Sequence, residues 1–96
     1  MNDQTHLGPK TQFTIYTEDL DREAIIALVT QEFSAATLHS GVGLWHGKAE
    51  SSLAITILGH ESSRGAVHSV AQNIKRHNQQ EAVRVMEVKL ESVIFV

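Results

Sequence analysis

Trp45 and Glu50 stand five residues apart in the stretch GVGLWHGKAESS, residues 41 to 52. Trp45 is the only tryptophan in the chain, and three glycines surround it. A turn needs glycines, but it needs neither a tryptophan nor a glutamate. A tryptophan can pack over a flat group. A glutamate beside it can accept hydrogen bonds from an amine or a ribose. In strand phase Gly41, Gly43, Trp45 and Gly47 share one face, with Val42, Leu44 and His46 on the other. Small residues next to Trp45 leave room and permit close backbone approach. We therefore expect a ligand site with Trp45, Gly43 and Gly47 in its wall and Glu50 as the acting carboxylate. The plainer reading packs Trp45 at a subunit interface and leaves Glu50 in solvent.

Other chemistry is poorly supplied. The chain has no cysteine, which removes disulfides, thiolate catalysis and Cys-based zinc sites. Six histidines are present, but none shows helical i, i+4 or strand i, i+2 ligand spacing, so we expect no metal. Ser51-Ser52 and Ser62-Ser63 lack a G-x-S-x-G setting. The G-x-G here lies inside a strand and opens no helix, so it is not a dinucleotide fingerprint. Lys75, Arg76 and His77 close a helix, where cations complement its dipole. Among the carboxylates, Glu91 in the last strand is a second candidate for the site.

The elements that must hold these residues follow from periodicity. Residues 11 to 17 alternate, with Phe13 and Ile15 inward. A helix spans about 21 to 34, capped by Asp19 or Asp21, with Ile25, Ile26, Leu28, Val29 and Phe33 at helical spacing. Strands at 36 to 46 and 51 to 59 are joined by a short connection and pair antiparallel. Ser62 or Ser63 caps a second helix that buries Val67, Val70, Ala71 and Ile74. In the last segment, Val83 and Val85 oppose Met86, Val88 and Leu90 in phase. This implies a bulge or a strand with apolar contacts on both faces. The terminal VIFV is an apolar edge that should pair, for instance with another subunit.

The order is β-α-β-β-α-β. With right-handed crossovers it gives an α+β ferredoxin-like sandwich, a four-stranded antiparallel sheet with two helices on one face. Residues 1 to 10 read as a flexible lead-in and 11 to 96 as one domain. The 96 residues, 42% hydrophobic and 20% charged, suit a soluble globular chain. A net charge of −3 argues against nucleic acid, and no apolar run approaches a membrane span. We expect a cytoplasmic protein, in the host cytoplasm if viral. The uncovered sheet face calls for a homo-oligomer.

Three segments carry a family resemblance: GLWHGKAESSLAITI, AVHSVAQNIKRHNQQ and QEAVRVMEVKLESVIFV. The chain resembles small trimeric ferredoxin-like proteins of the PII class and, within that shape, the phage-encoded S-adenosylmethionine lyases. The resemblance implies a homotrimer with clefts between subunits and no cofactor. It implies a ligand such as S-adenosylmethionine or a nucleotide. In the lyases the methionine part closes to homoserine lactone and releases methylthioadenosine, a step that needs positioning more than a nucleophile. Glu50 matches the lyases' active-site glutamate. Trp45 stands where they carry a tyrosine, keeping the flat face without the hydroxyl. A non-catalytic PII-like binding module and a purely structural oligomer are the other readings.

Overall fold

Phe13, Ile15, Leu53, Ile55 and Ile57 fall at every second position along two strands, and all five are buried. That period-2 pattern gives the sheet one face to bury. In the computed structural model, which describes residues 6–96, the strands are β1 (His6–Leu7), β2 (Thr11–Glu18), β3 (Thr37–Trp45), β4 (Lys48–Gly59), β5 (Arg84–Lys89) and β6 (Ile94–Phe95). The helices are α1 (Arg22–Thr30) and α2 (Arg64–Asn78), the second preceded by a 3₁₀ turn at Glu61–Ser63. The main sheet has the order β3-β4-β2-β5 and is antiparallel throughout. This is the ferredoxin-like α+β fold expected from the element order. Residues 1–5 of the expected lead-in lie outside the described residues.

Both helices close over the same face. Ile25 and Val29 of α1 and Val67, Val70, Ala71 and Ile74 of α2 join the five strand residues in one core. At about 25 cal/mol per Å² of apolar area removed from water, this layer is the main stabilising term. Asp21 caps α1, its carboxylate accepting from the Ala24 N–H at 3.2 Å. Helix α1 stops at Thr30, earlier than expected, and residues 31–32 form a turn. Ser63 precedes α2 without making a side-chain cap bond. The far end of α2 is pinned to the start of α1 by His77 Nε2, 3.0 Å from Asp21 Oδ2.

In two places the structure selects among what the sequence left open. Strand β5 pairs with β2 in unbroken register, Thr11 with Lys89 through to Tyr16 with Arg84, so it carries no bulge there. Val85 faces the helices while Met86 and Val88 lie half-exposed on the open face, so the strand carries apolar residues on both sides. The terminal strand pairs within the chain: β6 lies antiparallel to β1, Ile94 opposite Leu7 and Phe95 opposite His6. No helix among the described residues is long and apolar enough to cross a membrane.

Candidate functional site

Strand β2 ends at Glu18, which pairs with Ser52. The β3–β4 ladder continues past that point for four more rungs, Val42–Ser51, Gly43–Glu50, Leu44–Ala49 and Trp45–Lys48. The hairpin therefore leaves the body as a two-stranded ribbon with neither a third strand nor a helix against it. Val42 and Leu44 share the helix-side face with Leu38, as expected, but each is 77% exposed because the helices do not reach that far.

The tip is a two-residue turn. His46 and Gly47 both have positive φ, 51° and 77°, as a type I′ hairpin turn requires. This corrects the expectation that Gly47 stands beside Trp45 in strand phase. Strand alternation stops at Trp45, and Gly47 serves the turn; a Cβ there would meet nothing within 4 Å. The His46 ring meets the Trp45 ring edge-on, with centroids 4.9 Å apart.

On the other face the register gathers the expected residues. Gly43 is directly opposite Glu50, so both point to the open side of the sheet. A Cβ on Gly43 would lie 3.3 Å from Ser52 Cβ and 3.9 Å from Glu50 Cγ. The glycine thus leaves the space beside Glu50 open. A cleft of about 460 Å³ occupies it. Gly43, Trp45 and Glu50 form one wall, the ends of β2 at Tyr16 and Glu18 the floor, and residues 79–84 the opposite wall.

That opposite wall is held by the end of α2. Gln79 adopts the left-handed conformation with φ 55°, and its N–H donates to the Arg76 carbonyl while Gln80 N–H donates to that of Lys75. This is a Schellman ending with glutamine where glycine is usual. Asn78 Nδ2 donates to Gln80 Oε1 at 2.9 Å and to Thr17 Oγ1 and the Glu18 carbonyl, both at 3.3 Å. The Thr17 hydroxyl donates to the same Gln80 oxygen. These bonds tie the loop to the floor of the cleft. Asn78 Oδ1 is buried with no partner among the described residues.

The electrostatics of the cleft are uneven. Among the described residues, Glu18, Glu50 and Glu81 line it against one cation, Arg84. The Arg84 guanidinium lies 4.3 Å from the centre of the Tyr16 ring, a cation–π contact. Partial burial, reinforced by the like charge of Glu18, pushes the Glu50 carboxyl above its ordinary value. At the rim His46 Nε2 is 3.7 Å from Glu81 Oε2.

The structure brings Trp45, Gly43 and Glu50 together and separates Glu91 from them. Glu91 follows β5 at the end where Lys89 pairs with Thr11, whereas the cleft lies at the Arg84–Tyr16 end of the same ladder. Within one chain Glu91 therefore does not reach the cleft. Tyr16, Glu18 and Arg84 were not anticipated. Tyr16 sits out of phase with Phe13 and Ile15, which marks the open face, but nothing local reveals its register with β4 and β5. No group of three or more His, Cys, Asp or Glu able to hold a metal occurs among the described residues.

Fold and cleft together define a ferredoxin-like domain of the PII-like shape. No family model matches the sequence, and no curated protein matches it. Among solved structures, a DUF3240 family protein from Shewanella baltica is similar, with a TM-score of 0.70 and 10% identity over 85% of this chain and 90% of that one. CPII, a nitrogen regulatory PII-like protein from Thiomonas intermedia K12 bound to ADP, AMP and bicarbonate, is also similar. Its TM-score is 0.64 with 16% identity, over 88% of this chain and 96% of that one. At such identities the likeness is one of fold.

Proposed function

We propose that the chain is a non-catalytic, PII-like small-ligand-binding module that works as a homo-oligomer, with its site in the cleft between the β3–β4 hairpin and residues 79–84. The observation that carries this is the convergence of Trp45, Gly43 and Glu50 on one face of a projecting ribbon, beside Tyr16 and Glu18 and opposite residues 79–84. The arrangement suits a flat ring. Trp45 packs over the ring, Gly43 admits it to the strand, and the Glu50 carboxylate accepts from an exocyclic amine. A nucleobase of the adenine type has that shape, and the nucleotides bound by the CPII protein accord with the choice. A nucleotide-like ligand also points to the cytoplasm.

Oligomerisation follows from the open sheet face. Leu58, Met86 and Val88 are each between 41% and 47% exposed there. Helices cover the other face only. Further copies of the chain, three in the PII-like arrangement, would cover the open face and complete each cleft from a neighbour.

Titration of the protein with adenosine, AMP, ADP and ATP, followed by thermal shift and by Trp45 fluorescence, tests the reading. A ligand bound only by the folded state raises the melting temperature. A flat response across the panel in both readouts rejects it.

The same cleft also offers what the lyase reading needs, a carboxylate at Glu50 beside an aromatic wall at Trp45. Incubation with S-adenosylmethionine distinguishes the two. Methylthioadenosine formed in proportion to protein would make the chain a lyase. Binding without product leaves the binding module.

A further inference from the structure

We propose that the cleft selects its ligand by positive charge: the group that enters between Glu18 and Glu50 is an organic cation, an ammonium or guanidinium carried on an apolar or flat body. The proposal rests on the cleft being the ligand site, and it puts a charged nitrogen at Glu50 in place of the neutral exocyclic amine of a nucleobase.

Among the described residues the cleft is lined by three carboxylates, Glu18, Glu50 and Glu81, and by one guanidinium, Arg84. Electrostatic potential in a partly desolvated cleft is set by such an imbalance, and it raises the local concentration of ions of opposite sign. Glu18 pairs with Ser52, and Glu50 lies two residues along the same strand, so the two carboxylates are diagonal neighbours on one face of the ladder. No Lys, Arg or His within 4.0 Å of either forms an ion pair among the described residues, in contrast to Glu61 and Glu87, which pair with Lys89 and Arg64. Arg84 sits over the Tyr16 ring and forms no ion pair with Glu18, Glu50 or Glu81 among the described residues, so it does not neutralise them at close range.

The aromatic wall at Trp45 fits the same class of ligand. Its indole π-face attracts cations as well as apolar bodies, whereas the Tyr16 face is taken by Arg84. Glu50 makes no ion pair among the described residues, and partial burial beside the Glu18 carboxyl pushes its own carboxyl above the ordinary value. An entering cation supplies a counter-charge. A phosphate would meet repulsion in the same place, so the phosphates of any nucleotide must lie outside the Glu18–Glu50 pair.

A matched probe set decides the matter: benzylammonium, benzylguanidinium, neutral benzyl alcohol and anionic benzyl phosphate, titrated against the oligomer at pH 7 and low salt. Trp45 is the only tryptophan, so its emission reports the cleft directly. The two cations are expected to bind at least about tenfold more tightly than the alcohol, and the phosphate more weakly than the alcohol. The preference should weaken with added salt. Glu50→Gln and, separately, Glu18→Gln should each reduce it while the melting temperature stays within a few degrees of the parent. If the alcohol or the phosphate matches the cations, the charge selectivity is wrong and the ligand site stands. If no probe and no nucleotide changes Trp45 emission, both fall.

Discussion

Glu50 faces Gly43 across the β3–β4 ladder, and the missing side chain at 43 is what leaves the glutamate open to the cleft. A valine at 43 would fill that space. Its first carbon would already lie 3.3 Å from Ser52 Cβ, tighter than relaxed packing. We predict that Gly43→Val weakens binding of any ligand of the cleft by tenfold or more, because the body of the ligand loses its place. Strand propensity favours valine over glycine, by up to about 1 kcal/mol, so the melting temperature should hold or rise. Fluorescence titration beside a melting curve checks both halves, and unchanged affinity would remove Gly43 from the site.

Glu50→Gln should fold normally and bind poorly. Its effect on stability has a definite sign. The folded-state carboxyl titrates above its ordinary value of about 4.5, so ionising it costs the folded state more than the unfolded chain. That cost is absent below about pH 4.5 and fully present above the folded value. The amide removes it. The variant should therefore equal the parent near pH 4 and match or exceed it at pH 7 in chemical denaturation. A variant that fails to fold at neutral pH would make Glu50 structural.

Asp21, Glu61 and Glu87 carry the opposite dependence. The His77 contact and the Ala24 N–H lower the Asp21 carboxyl, Lys89 lowers Glu61, and Arg64 lowers Glu87. Their stabilisation is present above the unfolded values, about 3.8 for Asp21 and 4.5 for the glutamates, and lost as pH falls through the lower folded values. All three lie at the surface, so the effect is modest. Replacing Arg64 by Gln, which breaks the 2.7 Å bond from Nε to Glu87, should flatten the acid limb of a stability–pH curve. An unchanged limb would mean that this pair contributes nothing.

The left-handed Gln79 is a candidate for gain. A non-glycine residue there is strained, and glycine adopts it freely at some cost in unfolded-chain entropy. Gln79→Gly should stabilise the protein by about 0.5–1 kcal/mol, read as a shift of the urea midpoint at constant slope. A loss of stability would mean that the Gln79 side chain makes up for its backbone.

If the open sheet face is covered by further copies of the chain, charge placed there will separate them. Met86→Glu combined with Val88→Lys should reduce the mass in solution toward that of one 10.6 kDa chain, measured by light scattering. Far-ultraviolet circular dichroism should be retained, because neither residue belongs to the helix-covered core. An unchanged mass would place the interface elsewhere.

The order of elements and the inward residues were legible because they follow from local periodicity. A strand alternates every second residue and a helix every 3.6, whatever surrounds them. Phe13, Ile15, Leu53, Ile55 and Ile57 declare themselves in that way, and so does the shared face of Gly43 and Trp45. The same reasoning overran at His46 and Gly47, where two positive φ angles interrupt the alternation. It also left Val42 and Leu44 without the cover their pattern suggests.

The sequence by itself determined that Trp45 and Gly43 share a face near the end of a glycine-rich strand, and that a β-α-β-β-α-β chain should build this sheet. Only the tertiary structure decided which residues meet them. Tyr16, Glu18 and Arg84 enter the cleft through the pairing registers of β2 with β4 and β5, and the antiparallel direction of β5 carries Glu91 of the same chain to the far end of the ladder. Register is a long-range property, set by how both helices seat on the sheet and by where each strand ends. Residues far apart in the chain can satisfy their own local pattern equally well at either end of a ladder, and only packing chooses between the ends.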